Sequence, residues 1–125
     1  LSLHDALPIS IQNGVNEFIK TPKLDELFEK YAIEVGEEVS YDDFGFGSTD
    51  TGNVSHIVPT IHPHVKIGSR NLVGHTHRFR EAAASVHGDQ ALIRGAKIIA
   101  LMGLELIENK KLFDEVVEQH SQIKG

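Results

Sequence analysis

The stretch GSTDTGNVSHIVPTIHPHVKIG, residues 47–68, is where this sequence changes character. Its first seven residues, GSTDTGN, are small and polar, the residue types that make turns. The glycines allow tight turns, and the backbone amides are able to face an anion. Read for local structure alone, this is an Asx-capped turn leading into a short helix. No Gly-Lys-Ser/Thr follows, so it is not a Walker loop. The second half carries Ile61, Val65 and Ile67 at the alternating spacing of a short strand. Pro63 lacks an amide donor and belongs at a strand end, edge or bulge.

Upstream, Thr21-Pro22 starts a helix: threonine is a cap residue, and proline is tolerated at the first helical position. Leu24, Leu27, Phe28 and Tyr31 follow at helical spacing, and Gly36 is the expected stop. Residues 37–53 read as a loop with several sharp turns. Downstream, residues 69–80 read as a loop containing the run GHTH, and helix is expected from about Glu81. Ala91, Leu92, Gly95, Ile98, Ile99 and Met102 form one stripe of a long helix, expected from near Asp89 to near Glu108. Gly95 and Ala96 are small enough for a neighbouring element to approach closely. Leu112, Phe113, Val116 and Val117 predict a final amphipathic helix. One strand cannot make a sheet. Further strands are therefore expected within residues 37–58 or in sequence outside the chain.

The chain has 125 residues, enough for one domain. Its apolar content of 40% and charged content of 24% fit a globular protein with a buried core. The formal net charge is -6, and no basic run is interleaved with aromatics, which argues against nucleic acid and anionic membrane surfaces as partners. The absence of cysteine excludes disulfides, thiolate metal sites and a cysteine nucleophile. No apolar run approaches the roughly 18 residues that span a bilayer, and no signal peptide is visible. A cytoplasmic location is the expectation. Residues 1–9, LSLHDALPI, match the translation of one frame of a common DNA sequencing adapter. They are read as an artefact expected to pack poorly, the alternative being a native N-terminal segment. Residues 10–125 are then part of a domain whose coding sequence extends upstream.

Eight histidines are present, and four fall in two pairs, His62/His64 and His75/His77. In an extended segment, residues i and i+2 share a face, so each pair is able to aim two imidazoles at one metal. An H-x-H pair on an exposed strand is more commonly just a polar face. Ser48, Ser55, Ser69 and Ser85 are available as nucleophiles, yet none sits in a G-x-S-x-G elbow.

Taken together, residues 47–68 and the run GHTHRFREAAAS, residues 74–85, closely resemble the aminoacylase/carboxypeptidase-G family of di-zinc metallopeptidases. The nearest branch is similar to p-aminobenzoyl-glutamate hydrolase and β-alanyl-lysine dipeptidase. The combination G-S-T-D-x-G-N-V-S, V-P-x-I-H-P and G-H-T carries the resemblance, which runs from about Asn13 to the last helix.

The resemblance implies an α/β fold, the C-terminal part of a three-layer αβα zinc-exopeptidase catalytic domain, entered after a lid domain. It implies hydrolysis of an amide bond in a dipeptide or N-acyl amino acid, two zinc ions in the whole enzyme, and a homodimer formed through the lid. It assigns His75 as a metal ligand and leaves His77 on the surface. Gly47, Ser48, Thr49, Asp50 and His62 match positions that line the substrate. The remaining ligands and the general base, which must activate a zinc-bound water, belong upstream, so the chain alone is expected to be inactive. Two other readings stand beside this one: a standalone metal-binding module using the histidine pairs, and a structural α/β domain whose histidines are incidental.

Overall fold

The computed structural model describes residues 14–41 and 49–125. Residues 1–9, whose poor packing was expected, and Gly47 and Ser48 of the turn motif lie outside the described residues. Five helices follow in order: α1 (Pro22–Glu34), α2 (Thr51–Ser55), α3 (His77–Ala83), α4 (Val86–Glu108) and α5 (Lys110–Lys124).

α1 begins at Pro22, where the missing amide donor has no intrahelical partner to lose. The Thr21 side chain is fully buried and makes no cap bond, contrary to the capping role expected of it. The helix closes through Val35 and Gly36, whose φ of 87° is comfortable only for glycine. Leu24, Leu27 and Ala32 are its buried residues.

α4 starts at Val86, earlier than the expected Asp89, because Ser85 caps it: the Ser85 hydroxyl accepts from the Gly88 amide at 3.2 Å. A Cβ on Gly88 would lie 2.4 Å from the Ala83 carbonyl oxygen, so the sharp turn from α3 into α4 needs a glycine there. Ala91, Ile98 and Met102 are buried as the apolar stripe predicts, but Leu92 and Ile99, counted in the same stripe, are each 70% exposed. Asn109 joins α4 to α5, and its side-chain oxygen accepts from the Leu112 amide at 3.1 Å.

Leu27, Ala32, Ile98 and Met102 form the core where α1 and α4 meet, with Phe28, Tyr31, Leu106 and Leu112 packed around it. Polar contacts tie the same elements at their margins. Lys30 Nζ donates to Glu105 at 2.6 Å, Tyr31 Oη donates to Glu105 at 2.5 Å, and Lys23 Nζ pairs with Glu115 at 2.8 Å. Arg94 pairs with Glu37.

The expected strand over Ile61, Val65 and Ile67 does not form. Among the described residues there is no strand at all. Residues 59–67 belong to no regular element, because a strand requires a neighbour to complete its hydrogen-bond ladder and Pro63 removes one donor outright. The segment instead lays its apolar side chains on the helices. Ile61 packs against the core, and Val65 crosses α4 where a Cβ on Gly95 would lie 3.4 Å from its Cγ2. Close approach at Gly95 is therefore as expected, whereas Ala96 faces outward. The described part of the chain is helical, and the sheet of an α/β domain is not within it.

Candidate functional site

The turn motif divides into two parts with different jobs. Its C-terminal part, Gly52-Asn53-Val54-Ser55, is a knot that fastens residues 14–19 to the helices. The Asn53 side chain accepts from the Asn16 amide at 2.8 Å and donates to the Gly14 carbonyl at 3.2 Å. Ser55 Oγ accepts from the Ile19 amide at 2.9 Å and donates to the Gly52 carbonyl at 2.6 Å. Gly52 is buried, and a Cβ there would lie 2.1 Å from the Asn16 carbonyl oxygen, so no larger residue fits.

Two histidines outside the expected pairs complete the knot. His120 on α5 is 4% exposed, and its Nε2 donates to the Ser55 carbonyl at 2.6 Å. His56 Nε2 donates to the Glu17 carbonyl at 3.0 Å. Because a carbonyl only accepts, each contact fixes a proton on Nε2. Sequence reading did not single out either residue. A signal for His120 was present: it continues the buried stripe of α5 four residues after Val116, where a polar residue must find a partner.

Of the N-terminal part, Thr49 and Asp50 are among the described residues. Asp50 precedes α2, is exposed, and makes no side-chain cap bond, so the expected Asx cap is absent. Thr49 Oγ1 does the local work instead, lying 3.3 Å from the Thr51 amide and 3.0 Å from the Thr51 hydroxyl that donates to it.

The two histidine pairs differ. His62 and His64 are both exposed, with ring centroids 5.2 Å apart and planes tilted by 43°. The pair therefore does face one way. His75 and His77 do not share an extended segment. His77 opens α3, which starts earlier than the expected Glu81 because Thr76 caps it. The Thr76 hydroxyl accepts from the Phe79 amide at 3.2 Å and donates to the Val73 carbonyl at 2.7 Å. His75 has φ 59°, and it is the only non-glycine residue with positive φ among the described residues. A histidine held in the left-handed region carries backbone strain, and such strain gathers at functional sites. Of the four paired histidines, His75 alone has a left-handed backbone. A depression of about 410 Å³ beside it is lined by Asn71, Leu72, Val73, Thr76, His77 and Arg78.

These residues do not by themselves fit a zinc ion. No group of three or more His, Asp or Glu side chains among the described residues is arranged to hold a metal. His75 offers one nitrogen, and a catalytic zinc takes about three protein ligands. Likewise, no helix among the described residues is long and apolar enough to cross a membrane.

Comparison with known proteins relates the chain to peptidases, and within them to dipeptidases. The human Xaa-Arg dipeptidase is 32% identical over 124 residues, covering 94% of this chain and 28% of the human protein. The mouse Xaa-Arg dipeptidase is 41% identical over 70 residues, covering 56% of this chain and 16% of the mouse protein. The chain thus spans about a quarter of the human relative's length. No protein-family model matches it.

Proposed function

We propose that the chain is the C-terminal part of the catalytic domain of a zinc-dependent amidohydrolase that cleaves dipeptides or small N-acyl amino acids. One observation carries the reading: the identity to a human dipeptidase covers 94% of the chain, a span too long to omit residues 47–85. The helices would form an outer layer of a three-layer αβα domain, with the sheet and the lid that pairs two subunits lying in other sequence. The branch would be that of p-aminobenzoyl-glutamate and β-alanyl-lysine hydrolysis, acting in the cytoplasm.

The reaction adds water across an amide bond to give a carboxylate and an amine. In this reading the chain supplies a wall and one ligand. His75 contributes a nitrogen to the metal site. Gly47, Ser48, Thr49, Asp50 and His62 line the substrate. Hydroxyls and backbone amides in the turn suit a substrate carboxylate, and the exposed Asp50 carboxylate is able to accept from a substrate amide or guanidinium. The general base and the other ligands come from elsewhere, so the chain alone would be inactive.

The test uses the polypeptide translated from the complete reading frame. Its zinc content and its hydrolysis of dipeptides ending in arginine, β-alanyl-lysine and p-aminobenzoyl-glutamate are measured. His75→Ala should lower zinc occupancy and cut the rate by about a hundredfold or more. His62→Ala should act more mildly, through KM or kcat, with the metal retained, and His77→Ala should change little. A polypeptide that binds no zinc and cleaves none of the three substrates would refute the reading.

A further inference from the structure

Among the described residues, His62 and His64 are the one histidine pair whose rings the structure brings together. Both rings are exposed, and their centroids stand 5.2 Å apart. The backbone that carries them is anchored on either side. Ile61 packs against the core, and Val65 lies on α4, where a Cβ on Gly95 would stand 3.4 Å from its Cγ2. Between these anchors Pro63 fixes its own φ and disfavours helical backbone at His62. The two rings are therefore presented by the packing beneath them. The other described histidines offer no such pair. His56 and His120 each spend Nε2 on a backbone carbonyl. His75 has a left-handed backbone, His77 opens α3, and His87 lies alone near the start of α4.

We propose that His62 and His64 together bind one divalent first-row transition-metal ion, copper(II) most tightly, each through a ring nitrogen. Metal–imidazole bonds are about 2.0–2.1 Å long, so two rings on one ion hold their centroids roughly 4.5–6.5 Å apart, according to the angle at the ion. The spacing of 5.2 Å falls inside that range without any movement of the backbone. Exposed rings turn on a fast timescale, so each is able to aim a nitrogen at the ion. The donor set then selects the ion. No third His, Asp or Glu among the described residues joins the pair, so water completes the coordination. Two nitrogens with water suit copper(II) or nickel(II), and affinity along the row peaks at copper(II). Calcium and magnesium take oxygen ligands, and no carboxylate is offered here. Exposed Lys66, two residues beyond His64, adds a like charge that disfavours them further. The proposal concerns metal affinity in this chain and does not depend on the hydrolase reading.

The chain contains no cysteine, so no thiolate competes for the metal. Copper(II) is titrated into the chain while the imidazole ring protons are followed by NMR, since a bound paramagnetic ion broadens the signals of its own ligands. The signals of His62 and His64 should broaden together, at the lowest copper concentration, ahead of those of His75, His77 and His87. Three variants follow, His62→Ala, His64→Ala and His87→Ala, each at an exposed position, with circular dichroism checking that the fold is kept. In His64→Ala the copper concentration that broadens His62 should rise about tenfold or more, because a second tethered nitrogen acts at millimolar effective concentration. His62→Ala should do the same to the signal of His64, and His87→Ala should change neither. Broadening spread evenly over the exposed histidines would overturn the proposal and leave an adventitious ion only. So would a shift in His62→Ala or His64→Ala no larger than that in His87→Ala, because the two rings would then bind separately.

Discussion

The runs GNVS, residues 52–55, and GHTH, residues 74–77, both belong to the stretch that suggested a hydrolase, yet they are built in opposite ways. In the first, Gly52 and Ser55 are buried, and hydrogen bonds reach residues 14–19 and α5. In the second, Gly74, His75, Thr76 and His77 are all exposed, and the Thr76 hydroxyl bonds are local. A motif that looks uniform as sequence is therefore partly scaffold and partly surface. The scaffold part has non-local partners that fix the backbone. The surface part has one strained residue, His75, and nothing packed over it.

The difference is broken most severely at Gly52. Gly52→Val places carbon where the Asn16 carbonyl oxygen stands, 2.1 Å from even a Cβ. Residues 14–19 or α2 must move, at a cost of about 3 kcal/mol, near the upper end for forced overpacking. Urea unfolding of the chain should show this as a lower midpoint. An unchanged midpoint would mean that residues 14–19 are not held against α2.

His120→Ala should come next. It removes a buried ring and leaves the Ser55 carbonyl without its donor, a loss of about 2 kcal/mol. Amide exchange at Ile19, whose donor bond ends on Ser55 Oγ, should quicken along with it. Were only global stability to fall, with Ile19 exchange unaffected relative to α4, His120 would be packing material and not a clasp.

At His75 the sign reverses. His75→Gly should stabilise the chain by about 1 kcal/mol, because glycine adopts φ 59° without a Cβ clash, while His75→Ala should leave stability nearly unchanged. A loss of stability in the glycine variant would place His75 in the scaffold after all.

These contrasts bear on what could be read from the sequence. α1 and α5 were legible because Leu24, Leu27 and Phe28, or Leu112 and Val116, repeat at helical spacing, and that signal is local. The first turn of α3, before Glu81, was missed because Thr76, in a histidine-rich run, reads as loop until its hydroxyl is seen capping the Phe79 amide. The strand over residues 61–67 was misjudged because alternation describes a face, whereas a strand also needs a partner. Position 75 came from family resemblance, and spacing alone ranked it equal to His62. The clasp at His120 joins residues 65 apart in sequence, a distance at which no periodicity operates.

The smallest effect expected concerns the polar margin between α1 and α4. Hydrogen bonds from Lys30 and then Tyr31 hold the Glu105 carboxyl below the usual carboxylate range. The same contact raises Lys30 and Tyr31, in each case chiefly through the hydrogen bond to Glu105. The signs follow from linkage. The contribution of Glu105 is present above the ordinary carboxylate range and is lost as pH falls through its lowered value. Those of Lys30 and Tyr31 are present below their ordinary values and are lost as pH rises through their raised ones. At neutral pH all three are in place. Glu105→Gln should therefore lower the urea midpoint slightly at neutral pH and bring it toward that of the unsubstituted chain in acid. Added salt should shrink the difference, since Lys30 is exposed and its charge is screened. Unlike the knot at residues 52–55, this contact sits at the rim, and a substitution there that unfolded the chain would show that α1 and α4 depend on it rather than on Leu27, Ala32, Ile98 and Met102.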